Sequence, residues 1–128
     1  MNFQNLSAGE SRLWRRFQQY LDAGQLIAAQ TTLESLVQRL PHEPLLRIEL
    51  GKLMLQREQP QAATRQWLHV VNGNMPTDPW LTLQLAQHLL YVGEVVAVRA
   101  CLDQLQQHVG MPAALWAEQA QLRSMLGE

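Results

Sequence analysis

Charged residues are scarce in this sequence. Asp, Glu, Lys and Arg make up 16% of its 128 residues, against roughly a quarter in an average soluble domain. The formal net charge is −1, and Lys52 is the only lysine. Arg12, Arg15 and Arg16 form the one basic cluster, which we expect to be a solvated helix face. Because a nucleic-acid partner requires clustered Lys and Arg to neutralise its phosphates, the composition argues against one.

Cysteine and long apolar runs are also lacking. Cys101 is the only cysteine, so no disulfide can form within the chain and an oxidising compartment gains no support. No apolar run approaches the roughly 20 residues of a membrane helix. Residues 1–6 lack the basic and apolar regions of a signal peptide. We therefore expect a cytoplasmic protein that binds no membrane.

Patterns that support catalysis are missing as well. A catalytic site needs reactive groups that converge at a useful spacing. No Gly-rich phosphate loop occurs, since the glycines stand singly in turns. The four histidines share no metal-ligand spacing with one another or with Cys101; they are His42, His69, His88 and His108. We therefore predict a protein that is not an enzyme and that holds no metal and no cofactor.

Helical periodicity, by contrast, runs through almost the whole chain. Hydrophobic residues make up 47% of it, which is enough for a continuous core. Ser7 and Glu10 have the S-x-x-E spacing of a capping box, and Asp78-Pro79 offers an N-cap acceptor followed by a first-turn proline. Glycine turns near Gly24 and Gly93 separate apolar series at helical spacing. The pattern predicts seven helices and no sheet.

The apolar positions also repeat along the chain at fixed intervals. The step from Phe17 to Gly51 is 34, and the step from Gly51 to Ala86 is 35. Independent core positions that share one pair of intervals indicate a repeat built from two helices. Five further sets share both intervals: Tyr20, Met54 and Leu89; Leu21, Leu55 and Leu90; Ala29, Ala63 and Val98; Leu33, Trp67 and Leu102; and Leu36, Val70 and Leu105.

This pattern resembles the tetratricopeptide repeat family, whose unit is a helix–turn–helix of about 34 residues. The family places a small residue in the middle of its first helix, matched by Gly51 and Ala86 but not by Phe17. It places another early in the second helix, matched by Ala29 and Ala63. Small residues at these points let packed helices approach closely. The closing proline of the family's repeat is matched by Pro41 and displaced in the other repeats to Pro76 and Pro112.

The resemblance implies an all-α fold, a right-handed α-solenoid of about three such repeats plus a seventh helix at the C-terminus. After an N-terminal tail of residues 1–6, we expect a single domain over residues 7–128. Its repeats would cover about residues 10–43, 44–78 and 79–112, and its final helix residues 113–126. A generic array of α-hairpins is the alternative.

The final helix raises the question of where the repeat array stops. Trp116 and Ala120 fall on two signature positions of a fourth repeat. A natural capping helix is polar on its outer face, whereas this one has little polar surface. We therefore expect an excerpt from a longer array, with an apolar face that promotes self-association through the C-terminal helix. The apolar residues are Leu115, Trp116, Leu122, Met125 and Leu126.

In the family that the chain resembles, the first helices of successive repeats line a concave groove that holds a partner. Trp80 and Tyr91 are the best candidate anchors, since their separation of about three helical turns places them on roughly one face of a helix. Glutamine, aromatic and apolar side chains suit an extended peptide or a helix. Carried over to this sequence, the groove positions are Trp14, Gln18, Asp22, Ile48, Lys52, Gln56, Trp80, Leu83, Gln87, Tyr91 and Gln121.

One subclass of the family is excluded by its own motif. That subclass holds the acidic C-termini of chaperones in a clamp of Lys, Asn and Arg. The clamp is missing from the matching positions here, which are Trp14, Gln18, Glu49, Trp80 and Gln84.

The resulting prediction is a protein–protein interaction module, whose partner is another protein, a peptide or another domain of the same chain. Two alternatives stay open. One is an accessory region of a larger enzyme, as in bacterial sulfotransferases that carry such repeats before a catalytic domain. The other is a small stand-alone assembly or secretion chaperone. The full-length reading frame separates a module that ends here from one that continues into an enzyme.

Overall fold

A computed structural model describes residues 6–108 and 110–127. These residues form seven α-helices and no strand, which confirms the all-α prediction. Within them, no helix has the length and apolar character needed to cross a membrane. The helices are α1 (Ala8–Asp22), α2 (Leu26–Arg39), α3 (Pro44–Gln56), α4 (Pro60–Gly73), α5 (Pro79–Tyr91), α6 (Val95–Gln106) and α7 (Ala113–Met125).

The helix starts follow the capping signals in the sequence. At α1, the Glu10 backbone N–H donates to Ser7 Oγ at 3.1 Å and the Ser7 N–H donates to Glu10 Oε1 at 2.9 Å, forming the predicted capping box. At α5, Asp78 Oδ1 accepts from the Trp80 N–H at 2.9 Å. Three helices begin with a proline, whose missing N–H would be unpaired in the first turn anyway.

The turns that follow α1, α3, α5 and α7 share one backbone conformation. Each contains a residue with positive φ, namely Gly24 (73°), Glu58 (63°), Gly93 (84°) and Gly127 (82°). These residues recur at the same steps as the apolar core positions. In the first three turns the following N–H bonds back five positions, as from Gln25 to the Tyr20 carbonyl at 2.9 Å. This left-handed cap satisfies carbonyls that the helix end leaves unpaired.

The helices pack mainly with their sequence neighbours. The pairs α1–α2, α3–α4 and α5–α6 form hairpins, and α2 also packs against α3. Among helices further apart in the chain, α3 contacts α5, α4 contacts α6, and α7 lies against α5. The repeated positions of the second helices are all buried in one core: Ala29, Ala63 and Val98; Leu33, Trp67 and Leu102; and Leu36, Val70 and Leu105.

Trp67 is fully buried where α3, α4 and α5 meet. Its indole Nε1 donates to the Ile48 carbonyl oxygen at 3.3 Å. One side of the ring passes Gly51, where an added Cβ would lie 2.5 Å from Trp67 Cε2 and 2.9 Å from Cδ1. The ring also stacks on the His88 imidazole, with centroids 5.1 Å apart and planes 12° apart. Only glycine leaves room for the indole at position 51.

Two buried glutamines tie neighbouring parts of the chain together. Gln30 on α2 donates to Gln59 Oε1 at 3.3 Å and accepts from Arg57 Nη1 at 2.6 Å, which links the first hairpin to the turn of the second. Gln119 on α7 donates to the Leu102 carbonyl at 3.2 Å, which fixes α7 against the end of the third hairpin. The second bond joins α7 to α6.

Two large apolar side chains of α7 are exposed, and their separation of about two and a half helical turns places them on opposite faces of the helix. Trp116 is 44% exposed and Met125 64% exposed, whereas Leu115 and Leu122 are buried. Self-association through this helix stays a prediction.

Candidate functional site

The odd-numbered helices present two regularly spaced rows of side chains. One row consists of their last residues, Asp22, Gln56, Tyr91 and Met125. The other lies one turn earlier: Gln18, Lys52, Gln87 and Gln121. Both rows recur at the same steps as the positive-φ turn residues. All eight side chains are exposed except Lys52, which is half-buried. We call these eight residues the candidate surface.

A third row of predicted groove positions, one turn before Gln18, Lys52 and Gln87, points toward the core. Ile48 and Leu83 are buried among core residues, so they pack the helices and offer a partner almost no surface. Trp14 in the same row is half-buried, and its ring lies 5.2 Å from that of Phe17. Trp80 is 47% exposed at the start of α5, at the opposite end from Tyr91.

At one end of the candidate surface, a recess opens between α1 and α3. It brings together three predicted groove residues, Trp14, Gln18 and Asp22, and its wall includes Glu49. Glu49 Oε1 lies 3.3 Å from Lys52 Nζ, so these two charges largely offset each other. The recess therefore combines a half-buried indole with one exposed carboxylate.

At the other end, a cleft of about 400 Å³ opens between α5 and α7. Its volume lies in the range of pockets that take small organic groups. The predicted residues Gln87, Tyr91 and Gln121 line it together. Tyr91 is 77% exposed and forms one wall opposite Met125. The remaining lining residues are Leu90, Glu118 and Leu122.

Four lining residues of this cleft were not among the predicted groove positions: Leu90, Glu118, Leu122 and Met125. A signal for Met125 was present, because its step from Tyr91 equals the step from Asp22 to Gln56 and thus continues their row. Glu118 stands at the same step after Gln84, which was not among the predicted groove positions. Its place on the rim follows from how α7 lies against α5, which no spacing in the sequence gives.

The two groups with shifted pKa values lie in packed surroundings. Burial, and to a smaller extent the charge of Lys52, lower the pKa of His88. Burial raises the pKa of the Cys101 thiol to about 12. A thiolate, not a thiol, is the nucleophile and metal ligand, so Cys101 serves as a small apolar packing residue. Within the described residues, no three His, Cys, Asp or Glu side chains come close enough together to hold a metal ion.

Comparisons with known proteins add no relative. No family model, no curated protein and no solved structure matches this chain.

Proposed function

We propose that this chain is a helical-repeat binding module of the tetratricopeptide type, and that its candidate surface holds a peptide or helix of a protein partner. The observation that carries the proposal is the pair of exposed rows on the odd-numbered helices, ending in the apolar cleft between α5 and α7. Regular rows along successive helices suit a partner that is itself extended.

The repeat part of the proposal rests on matched positions in backbone and core. Left-handed turn residues recur at a nearly constant step after each odd-numbered helix. Core positions at the same step in successive hairpins are buried alike, as for Ala29, Ala63 and Val98. Such matched hairpins are what a stacked repeat array requires.

The binding part rests on the chemistry of the exposed side chains. Gln18, Gln87 and Gln121 carry amides that both donate and accept hydrogen bonds, as the backbone of an extended peptide requires. Tyr91 supplies a large contact area that loses little entropy on binding. The same surface would serve a segment of a separate protein or of another domain in the same chain, a catalytic one included.

A random-peptide display library, panned against the whole chain, tests the proposal. We expect enriched peptides whose affinity, measured by fluorescence anisotropy, falls tenfold or more in Tyr91→Ala, since truncating an aromatic anchor commonly costs about 2 kcal/mol. Val96→Ala changes an exposed residue on α6 and is the matched control. Unchanged affinity in Tyr91→Ala, or a library that yields no binder, would contradict the proposal.

A further inference from the structure

The α5–α7 cleft has an apolar end and a charged end. Its apolar lining residues are Leu90, Tyr91, Leu122 and Met125. Leu122 is buried and Leu90 half-buried, so they form the floor between the exposed Tyr91 and Met125 side chains. This end of the cleft fits a bulky apolar side chain of a ligand.

Of the described residues that line the cleft, Glu118 alone is charged. It is exposed and forms no ion pair with any residue that the structure describes. Two cations of the odd-numbered helices form ion pairs with other carboxylates. Lys52 on α3 pairs with Glu49, and Arg123 on α7 pairs with Asp103 at 3.6 Å. A free carboxylate on the rim favours a basic group in the occupant.

Helix geometry fixes the distance between the two ends. Glu118, Gln121, Leu122 and Met125 follow each other at helical spacing and form one stripe along α7. From Glu118 to Met125 the helix makes about two turns, a rise of about 10 Å. An extended peptide covers that distance in about three residues. Gln121 and Gln87 lie between the ends, where their amides can bond to the peptide backbone.

We propose that the occupant of this cleft is a peptide segment with a bulky apolar residue about three positions from a lysine or arginine. The inference rests on the proposed function and names the chemistry of the partner. The apolar side chain enters between Tyr91 and Met125, and the basic side chain pairs with Glu118.

Two synthetic Gly/Ser peptides test this proposal. Each carries one Phe and one Lys about three positions apart. In one peptide Phe precedes Lys, and in the other Lys precedes Phe. Titrated into the isotope-labelled chain and followed by nuclear magnetic resonance, at least one order should shift resonances of α5 and α7 and saturate. Replacing Phe by Ala should abolish binding. Replacing Lys by Glu should weaken binding roughly two- to fivefold at low salt, as for an exposed ion pair.

The variant Glu118→Gln should bind the Lys and Glu peptides alike, whereas Glu34→Gln, an exposed carboxylate on α2, should keep the preference for Lys. Equal affinity of the wild type for the Lys and Glu peptides would overturn the inference. A preference for the Lys peptide that persists in Glu118→Gln would also overturn it, and so would a failure of every Phe peptide to bind. None of these results would contradict the proposed function as long as library-selected peptides still lose affinity in Tyr91→Ala.

Discussion

At the scale of single residues, position 51 requires glycine because the Trp67 indole passes close to its Cα. A Cβ at this position would overlap Trp67, a fully buried ring held by the Ile48 carbonyl and by His88. We expect Gly51→Ala to lower the free energy of unfolding by about 1–3 kcal/mol through overpacking. Gly73→Ala is the control, since a Cβ there meets nothing within 4 Å and alanine favours the helix. Urea titrations that find the two variants equally stable would contradict this packing.

Glu58 occupies a turn position that glycine fills in the other three turns. Its φ of 63° is left-handed, which costs a residue with a Cβ roughly 1–2 kcal/mol. Glu58→Gly should therefore raise the free energy of unfolding by up to about 1 kcal/mol, because glycine's greater freedom when unfolded offsets part of the gain. Gly93→Ala should lower it by about as much. Thermal or urea unfolding measures both, and a destabilised Glu58→Gly would show that the glutamate side chain stabilises the turn.

His88 should make stability depend on pH. Its folded pKa is lowered by burial and by Lys52, and its buried Nε2 has no hydrogen-bond partner among the residues that the structure describes. Between the folded pKa and the unfolded value of about 6.5, the unfolded chain binds more protons. The stability contributed by neutral His88 is thus fully present above the pKa of the unfolded state, and it is lost as the pH falls through the folded pKa.

Urea midpoints at about pH 7.5 and about pH 5.5 test the sign on either side of the ordinary histidine value. The wild type should lose more stability between them than His88→Phe, which keeps a ring on Trp67 but cannot be charged. Lys52→Met should reduce the loss by a smaller amount. The same loss in wild type and His88→Phe would rule out His88 as its source.

At the scale of elements, we expect Ala63 to set how closely α3 and α4 pack. It is completely buried near the start of α4, in the column of Ala29 and Val98. Ala63→Leu should lower the free energy of unfolding by about 1–3 kcal/mol because the contact has no spare volume. Ala100→Leu, on an exposed face of α6, should change it by less than about 0.5 kcal/mol. Similar urea midpoints for the two variants would show that Ala63 is not at a tight contact.

Local signals in the sequence were enough to predict the helices. The capping box at Ser7, the Asp78-Pro79 start and the turn glycines act within a few residues of where they stand, and the structure follows them. The turn at Glu58 has no glycine, although the interval of 34 residues from Gly24 indicates a turn at this position. The hydrogen-bond partners of Gln30 lie in the turn between α3 and α4, and that of Gln119 is a carbonyl on α6, so no local signal in the sequence predicts that these two glutamines are buried.

The candidate surface was predictable in part. The interval gives the rows, so Gln87, Tyr91 and Gln121 were predicted together and line one cleft. It does not say which row faces outward, because that depends on the rotation of each helix about its axis. The row of Trp14, Ile48 and Leu83 adjoins the exposed rows, and a modest rotation decides that Ile48 and Leu83 are buried.

At the scale of the whole molecule, the hairpins contact mainly their sequence neighbours, and one core runs through all of them. The contacts α3–α5 and α5–α7, together with the recess that α1 and α3 share, bring the odd-numbered helices into a row. A partner that follows this row would meet the recess beside Asp22 and the cleft beside Tyr91 in turn. We therefore expect a partner to bind on this side of the chain.

The most direct test is a resonance map of the labelled chain bound to the tightest peptide from the display library. We expect the largest amide and side-chain shifts at Gln87, Tyr91 and Gln121, with smaller ones extending toward Gln18. Shifts confined to the even-numbered helices α2, α4 and α6 would contradict it.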